Sequence, residues 1–357
     1  MSDIALSSLA DQRNRALRDW LISNPLGFGI DLDSLTPASA DASFRRYFRV
    51  RTQGAGGNPQ HSTLIVMDAP PEHENCRAFV QVARLMADAG INVPEVLAQD
   101  LEQGFLLLSD LGTQTYLSRL DPARPAEARP LLTAAIDTLV RWQTASRPGV
   151  LPPYNEALLL RELRLFPDWY VARHLQYQLS SAQRETLDAG FRKIIAVNLA
   201  EPKVYVHRDY MPRNLMISAP DHGENPGVLD FQDAVYGPIS YDIASLLKDA
   251  FISWDEEVVL DWAIRYWERA RAARLPVSDD FGEFYRHLEW MGLQRHLKVL
   301  GIFARINYRD GKPHYLADTP RFIHYVRRVC GRYSGLAPLL RLVDQLEGAV
   351  VKSGLTF

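Results

Sequence analysis

Residues 204–247 constrain this chain more than any other stretch. On either side, apolar residues recur at helical spacing. Here they contract into three short runs, Val204-Tyr205-Val206, Leu215-Met216-Ile217 and Val228-Leu229, which read as strands. Polar clusters follow: His207-Arg208-Asp209, with Asn214 five residues beyond Asp209, and then Asp230-Phe231-Gln232-Asp233. Strand ends are rigid mounts for side chains that face a cleft. Asn214 offers a neutral oxygen and Asp230 a charged one, a donor pair suited to Mg²⁺, which takes few protein ligands and keeps phosphates and water. Asp209 is left to accept a proton from an attacking hydroxyl. Phosphoryl transfer asks little more of a protein than positioning and charge neutralisation. A plainer reading stands beside this one, with Asp209 as a helix cap and Asn214 and Asp230 as turn formers.

The rest of the chain sets the frame. Residues 33–110 read as strands around one helix. Leu64-Ile-Val-Met67 is a buried strand bounded by Pro70-Pro71, and residues 77–89 carry helical periodicity closed by Gly90. Phe105–Leu108 is a further strand, and Ser109–Gly112 looks like a hinge. Beyond it helical patterns dominate, among them Leu132–Val140, Trp262–Trp267 and residues 281–305. No unit recurs at solenoid spacing. The economical architecture is α+β and two-lobed: residues 1–108 form a small lobe with a leading amphipathic helix (Leu9, Leu17, Trp20, Leu21). Residues 109–112 are the hinge, and 113–357 a larger, mostly helical lobe.

Composition removes several function classes. Of 40 basic residues only six are lysine, and none precedes Lys193. Amine chemistry and a phosphate-clamping lysine are therefore excluded from the first half. A net charge of −3 supplies no field for nucleic acid. Cys76 and Cys330 form neither a disulfide framework nor a metal spacing. No apolar run is long enough to span a bilayer, and residues 1–30 lack a signal-peptide core. The expectation is a cytoplasmic protein with a small-molecule substrate, no membrane and no implied protein partner.

His207-Arg-Asp-Tyr-Met-Pro-Arg-Asn214 resembles the catalytic loop of the protein-kinase-like fold. Asp230-Phe-Gln-Asp233 and Gly237-Pro-Ile-Ser-Tyr-Asp242 resemble its aminoglycoside phosphotransferase and choline kinase branch. Only 11 residues separate Asp230 from Asp242, too few for a peptide-docking segment. The resemblance implies ATP and Mg²⁺ as cofactors, bound between the lobes. It implies Asp209 as catalytic base and Asn214 and Asp230 as metal ligands. His207 and Asp242 would support the loop, and Leu108 and Asp110 would border adenine. Ser43-Phe-Arg-Arg-Tyr-Phe-Arg49 resembles the hairpin over the phosphates, without its glycines. That hairpin, with Glu162-Leu-Arg-Leu-Phe-Pro-Asp-Trp-Tyr170, is similar to bacterial anomeric kinases of N-acetylmuramate and N-acetylglucosamine in peptidoglycan recycling.

One departure stands out. Kinases of this fold usually pair a lysine on the third strand with a glutamate on the next helix. Here the lobe has no lysine, and Phe79 stands near the glutamate position. Losing both partners is physically consistent, since removing one alone costs roughly 3–5 kcal/mol. The phosphate charge then falls to the hairpin, where Ser43, Phe44, Arg45, Arg46 and Arg49 are the candidates.

For the sugar, Glu162, Trp169, Tyr170, Arg295 and His296 are candidates, because a pyranose favours an aromatic wall and a carboxylate favours arginine. Aromatics at helical spacing also read as core. Asp233 is a candidate for substrate, for a second metal, or for support of Asp230. Residues 251–357 hold 16 basic against 13 acidic side chains, so no acidic wall for a polycation is evident. A sugar hydroxyl, anomeric first, is the leading substrate. A kinase of another alcohol (choline, homoserine or an aminoglycoside) and a non-catalytic ATP-binding regulator remain alternatives.

Overall fold

The computed structural model describes residues 3–23, 28–39, 44–52, 62–218 and 223–348, with side chains from Gln12 onward. The chain divides into two compact units, one of residues 1–115 and 215–233, the other of residues 116–214 and 234–357.

The first unit is built on a five-stranded antiparallel sheet, in the order β1 (Ile30–Ser39), β2 (Arg46–Thr52), β3 (Thr63–Asp68), β5 (Phe105–Ser109), β4 (Val96–Asp100). One face is covered by the leading helix α1 (Asp3–Ser23). Leu17 and Leu21 bury there against Val50, Leu64, Val66, Phe105 and Leu107, with Trp20 packed alongside. Each such leucine contributes roughly 1.5–3 kcal/mol. The helix α2 (Cys76–Asp88) starts where Asn75 accepts the Arg77 N–H at 3.0 Å, a side-chain cap in place of a missing helical partner. The β4–β5 turn needs Gly104. Its φ is +74°, and a Cβ there would sit 1.9 Å from the Ala69 carbonyl oxygen.

Residues 215–233 belong to this unit, and the boundary falls after Thr115, beyond the expected hinge at 109–112. Long-range backbone pairing explains both. β7 (Leu215–Met216) pairs with β8 (Gly227–Val228), and Met216 bridges to Thr115. The Ile217 N–H donates to Gln114 and the Val228 N–H to Asn92, each at 2.8 Å.

The second unit is mostly helical. Its helices are α3 (Arg129–Thr144), α4 (Glu156–Leu163), a π-helical segment (Phe166–His174), α5 (Ser181–Ala200), α6 (Tyr241–Leu247), α7 (Glu256–Ala272), α8 (Phe281–Asp310), α9 (Thr319–Arg332) and α10 (Ala337–Leu346). A two-stranded pair, β6 (Lys203–Val206) with β9 (Val235–Pro238), lies among them. Helix α8 runs through the core, with Leu288, Met291, Leu293, Leu297 and Leu300 all at 0% exposure. It approaches the π-helical segment so closely that a Cβ at Gly301 would lie 2.3 Å from the Leu165 backbone. No helix among the described residues is long and apolar enough to cross a membrane.

Candidate active site

The His207–Asn214 loop leaves β6 through a strained residue. Arg208 has φ +78°, a conformation costly for a side chain with a Cβ. Asp242, at the start of α6, holds that turn. Its fully buried carboxylate accepts the His207 N–H at 2.7 Å and the Arg208 N–H at 3.0 Å. Burial pushes the Asp242 carboxyl up to about 7, against these two donors.

The Arg208 guanidinium donates to Glu162 Oε1 at 2.6 Å. Glu162, a candidate for sugar contact, is engaged with the loop. It is 4% exposed and accepts from Tyr154 Oη, from Gln294 Nε2 at 3.0 Å and from Lys298 Nζ at 3.1 Å. Burial alone would raise its carboxyl, but Lys298 and Arg208, with the Tyr154 and Gln294 hydrogen bonds, hold it down to about 2. Glu162 thus anchors the loop from behind, sharing one negative charge between half-buried Arg208 and buried Lys298.

Within the loop, the Asp209 N–H donates to His207 Nδ1 at 3.2 Å, so that nitrogen acts as acceptor. The Asp209 carbonyl receives the Met211 N–H and Asn214 Nδ2, each at 2.9 Å. Donating through nitrogen turns the Asn214 amide oxygen the other way. A short helical turn, Pro212–Asn214, carries that residue.

In the first unit, Asp230 also has a left-handed backbone, with φ +63°. Phe231 packs on Phe79 of α2 with ring centroids 4.7 Å apart, which seats the segment. Gln232 Nε2 donates to Asp230 Oδ1 at 2.7 Å, while Gln232 Oε1 is buried with no hydrogen-bond partner among the described residues. Asp233 is exposed. Within this unit, the Asp230 carboxylate and the Gln232 amide oxygen are the kind of donors a hard cation takes. Gln232 was visible in the sequence but had no role there, because a glutamine in that place signals nothing until its amide is seen on Asp230.

The hairpin arginines are all in ion pairs. Arg49 Nε meets Asp110 Oδ2 at 2.5 Å and Nη2 meets Oδ1 at 2.9 Å, while Nη2 also donates to the Gly112 carbonyl at 2.8 Å. Asp110 further accepts the Thr63 hydroxyl and the Gly112 N–H. Arg46 and Arg13 share the buried Asp68. Arg45 Nη2 lies 2.6 Å from Glu74 Oε2. Phe44 is exposed and stacks on His73 at 4.3 Å. Leu108 is buried in β5, opposite Ile65 and Val96. Ser43 lies outside the described residues.

The other sugar candidates do not assemble into a wall. Tyr170 is 3% exposed, stacks on Phe166 and donates its hydroxyl to Glu347 at 2.9 Å. His296 is buried, stacked on Tyr325 at 4.6 Å, and Arg295 is buried over the Tyr241 ring at 4.8 Å. All three are core, because α8 passes through the middle of the unit. Trp169 is half-buried.

A loop of this build on a mostly helical unit, in a chain that also carries a small antiparallel sheet, defines a phosphotransferase of the protein-kinase-like fold. The chain belongs to the phosphotransferase enzyme family, whose pattern it matches over residues 34–275. It is 54% identical over 320 residues to the N-acetylmuramate/N-acetylglucosamine kinase of Pseudomonas aeruginosa, covering 88% of this chain and 89% of that one. It is 51% identical over 345 residues to the kinase of the same description from Pseudomonas putida, covering 97% of each. The Neisseria meningitidis relative is 49% identical, covering 97% of this chain and 100% of its own. Among solved structures, ADP-bound aminoglycoside phosphotransferase APH(2'')-Ib aligns with TM-score 0.57 at 13% identity, over 87% of this chain and 97% of that one. A choline/ethanolamine kinase family protein from Mesorhizobium loti aligns at 0.59 and 14% identity, over 93% and 99%. At such identities the likeness is one of fold.

Proposed function

We propose that this protein is an ATP-dependent kinase of N-acetylmuramate and N-acetylglucosamine that phosphorylates the anomeric hydroxyl. The observation that carries this reading is 49–54% identity to three kinases of those sugars along nearly their whole length. The build of the His207–Asn214 loop supports it. Asp209, held by a loop that Asp242 and Glu162 anchor, takes the proton of the attacking hydroxyl. An anomeric hydroxyl is more acidic than an ordinary alcohol, so a carboxylate base suffices. Asn214 and Asp230 would hold Mg²⁺, which when bound neutralises charge on the phosphate oxygens. The Gln232 amide orients the Asp230 carboxylate. Trp169 and Asp233 keep solvent-accessible surface and remain the candidates for sugar contact. A sugar 1-phosphate product would place the enzyme in the salvage of peptidoglycan sugars.

Phosphorus NMR of the product from N-acetylmuramate tests the position. The expected signal is a 1-phosphate coupled to the anomeric proton, and a 6-phosphate would overturn it. ADP release from choline, homoserine or an aminoglycoside, with none from either amino sugar, would overturn the substrate class.

A further inference from the structure

Arg208, Lys298 and Arg295 gather around Tyr241 and Glu162 in the second unit, and they are not alike. Arg208 and Lys298 share an anion, reaching Glu162 Oε1 at 2.6 and 3.1 Å. Lys298 Nζ also donates to the Tyr241 hydroxyl at 3.1 Å. Arg295, about one turn earlier on α8, has no such partner. Its stem packs in the core, and its head is the exception there. The residue is only 5% exposed, yet among the described residues its guanidinium makes no hydrogen bond and no ion pair. It lies over the Tyr241 ring at 4.8 Å. A guanidinium has five N–H donors, and leaving covered donors unmet costs free energy. Nor is this one sealed. Arg141 Nε and Arg305 Nε are buried nitrogens without a partner among the described residues, but no nitrogen of Arg295 is among them, so its nitrogens keep some accessible surface.

Two carboxylates that Arg295 does not touch fix where it stands. Asp242, next to Tyr241, holds the His207 and Arg208 N–H groups at the start of the catalytic loop. Asp249, just beyond α6, accepts the Phe251 N–H at 2.5 Å. The Phe251 ring in turn carries the Arg213 guanidinium at 4.9 Å, near the loop's other end. Arg295 draws down the carboxyls of both acids, so it is within electrostatic reach of each. Neither closes on it, and Asp249 Oδ2 is itself buried without a partner among the described residues. Burial pushes the two carboxyls up to about 7 and about 6, so at neutral pH they cancel its charge only in part. Lys298, a turn on, feels the charge of Asp209 itself. A cation with unmet donors thus stands under the loop that carries the base, within one compact unit.

We propose that Arg295 binds the lactyl carboxylate of N-acetylmuramate and so sets the preference of this kinase between its two sugars. The sugars differ by that arm: N-acetylmuramate carries a lactic acid ether on O3, where N-acetylglucosamine has a hydroxyl. A planar guanidinium with unpaired prongs meets a carboxylate through two parallel N–H···O bonds. O3 lies two carbons from the anomeric centre, so a ring that presents its 1-hydroxyl to Asp209 brings the acid to the same part of the unit. The contact is with the acid arm and leaves the pyranose itself to other residues. The inference rests on the amino-sugar kinase reading above.

Initial rates of the full chain on the two sugars, at saturating ATP, read the preference. Arg295→Met should raise the Michaelis constant for N-acetylmuramate about ten- to a hundredfold, the range of a charge-assisted hydrogen bond, and leave that for N-acetylglucosamine within about twofold. Arg295→Lys should recover part of the loss, since it restores the charge without the fork. The methyl ester of N-acetylmuramate makes the same test on the wild-type protein. It should lose as much there as the acid loses in Arg295→Met, and nothing further in that variant. If Arg295→Met does not fold, the ester and Arg295→Lys carry the test. An unchanged Michaelis constant for N-acetylmuramate in Arg295→Met would overturn the proposal, as would an ester as good as the acid in the wild type. Equal losses on both sugars would overturn it too, since a residue that only supports the loop does not distinguish them. A wild type that phosphorylates neither sugar is a different result: it overturns the kinase reading, and this proposal with it.

Discussion

Arg49 and Asp110 form a two-pronged ion pair, Nε to Oδ2 at 2.5 Å and Nη2 to Oδ1 at 2.9 Å, which ties β2 to the segment leaving β5. The Asp110 carboxylate is 4% exposed and the Arg49 side chain 26%. Burial pushes the Asp110 carboxyl up, but Arg49, the Gly112 N–H and the Thr63 hydroxyl together hold it below its ordinary range.

Arg49→Met removes the cation that grips the buried Asp110 carboxylate from two sides. Breaking a buried pair from one side costs about 3–5 kcal/mol, and the partial exposure of Arg49 brings the expectation to about 2–3 kcal/mol. The urea midpoint of Arg49→Met should fall accordingly, and Asp110→Asn/Arg49→Met should recover part of it. Unchanged stability with a raised Michaelis constant for ATP would return Arg49 to the phosphates.

Asp209→Asn should lower turnover by about 10²–10⁴ while leaving the melting temperature unchanged, since a general base contributes to the barrier and not to packing. Glu162→Gln makes the opposite distinction. It leaves Arg208 and Lys298 buried without their shared anion, so it should destabilise the fold by about 3–5 kcal/mol as well as slow the reaction. Paired melting and initial-rate measurements separate the two residues. A Glu162→Gln protein with wild-type melting and a raised sugar Michaelis constant would put Glu162 back in a substrate pocket.

Gln232→Ala removes the 2.7 Å bond that holds Asp230 Oδ1. The carboxylate then samples more rotamers, and apparent Mg²⁺ affinity should fall several-fold, of the order of one charge-assisted hydrogen bond. Titrating activity against Mg²⁺ at saturating ATP, with Mn²⁺ as a comparison, reads this directly. A loss of turnover that no Mg²⁺ concentration restores would show that Gln232 acts elsewhere than on Asp230.

Much of this was legible in the residues. β3 and β5 announce themselves because each holds four consecutive apolar residues between polar residues or glycine, and α2 because its apolar residues recur at helical spacing. The loop chemistry was legible too, since Asp209, Asn214 and Asp230 keep their spacing whatever surrounds them. The arginines were not. A sequence shows that Arg45, Arg46 and Arg49 are cations, but the face each occupies depends on the register of β2 with β3, which is set by pairing between strands and not by local sequence. The same limit hid the allegiance of residues 215–233, whose bonds run to Asn92, Gln114 and Thr115. The burial of Tyr170, Glu162 and His296 was hidden for another reason: helical spacing is the same for a core residue and a pocket wall.

Glu201 gives the last prediction, on pH. It is fully enclosed, and among the described residues its donors are the Ser240 N–H at 3.1 Å and the Ser240 hydroxyl at 2.9 Å. Burial without a cation pushes its carboxyl from 4.5 up to about 8. Between those values the folded protein keeps a proton that the unfolded chain has released, so unfolding is favoured increasingly as pH rises. The stabilisation is complete below about pH 4.5 and gone above about pH 8. Asp242, raised to about 7, and Asp249, raised to about 6, act in the same direction over the lower part of that window. Glu201→Gln keeps both acceptor bonds possible and removes only the titration. The wild-type denaturant midpoint should therefore drop between pH 5 and pH 8.5, and that of Glu201→Gln should drop by less. Parallel profiles for the two proteins would mean that Glu201 titrates at its ordinary value despite its burial, with solvent reaching it.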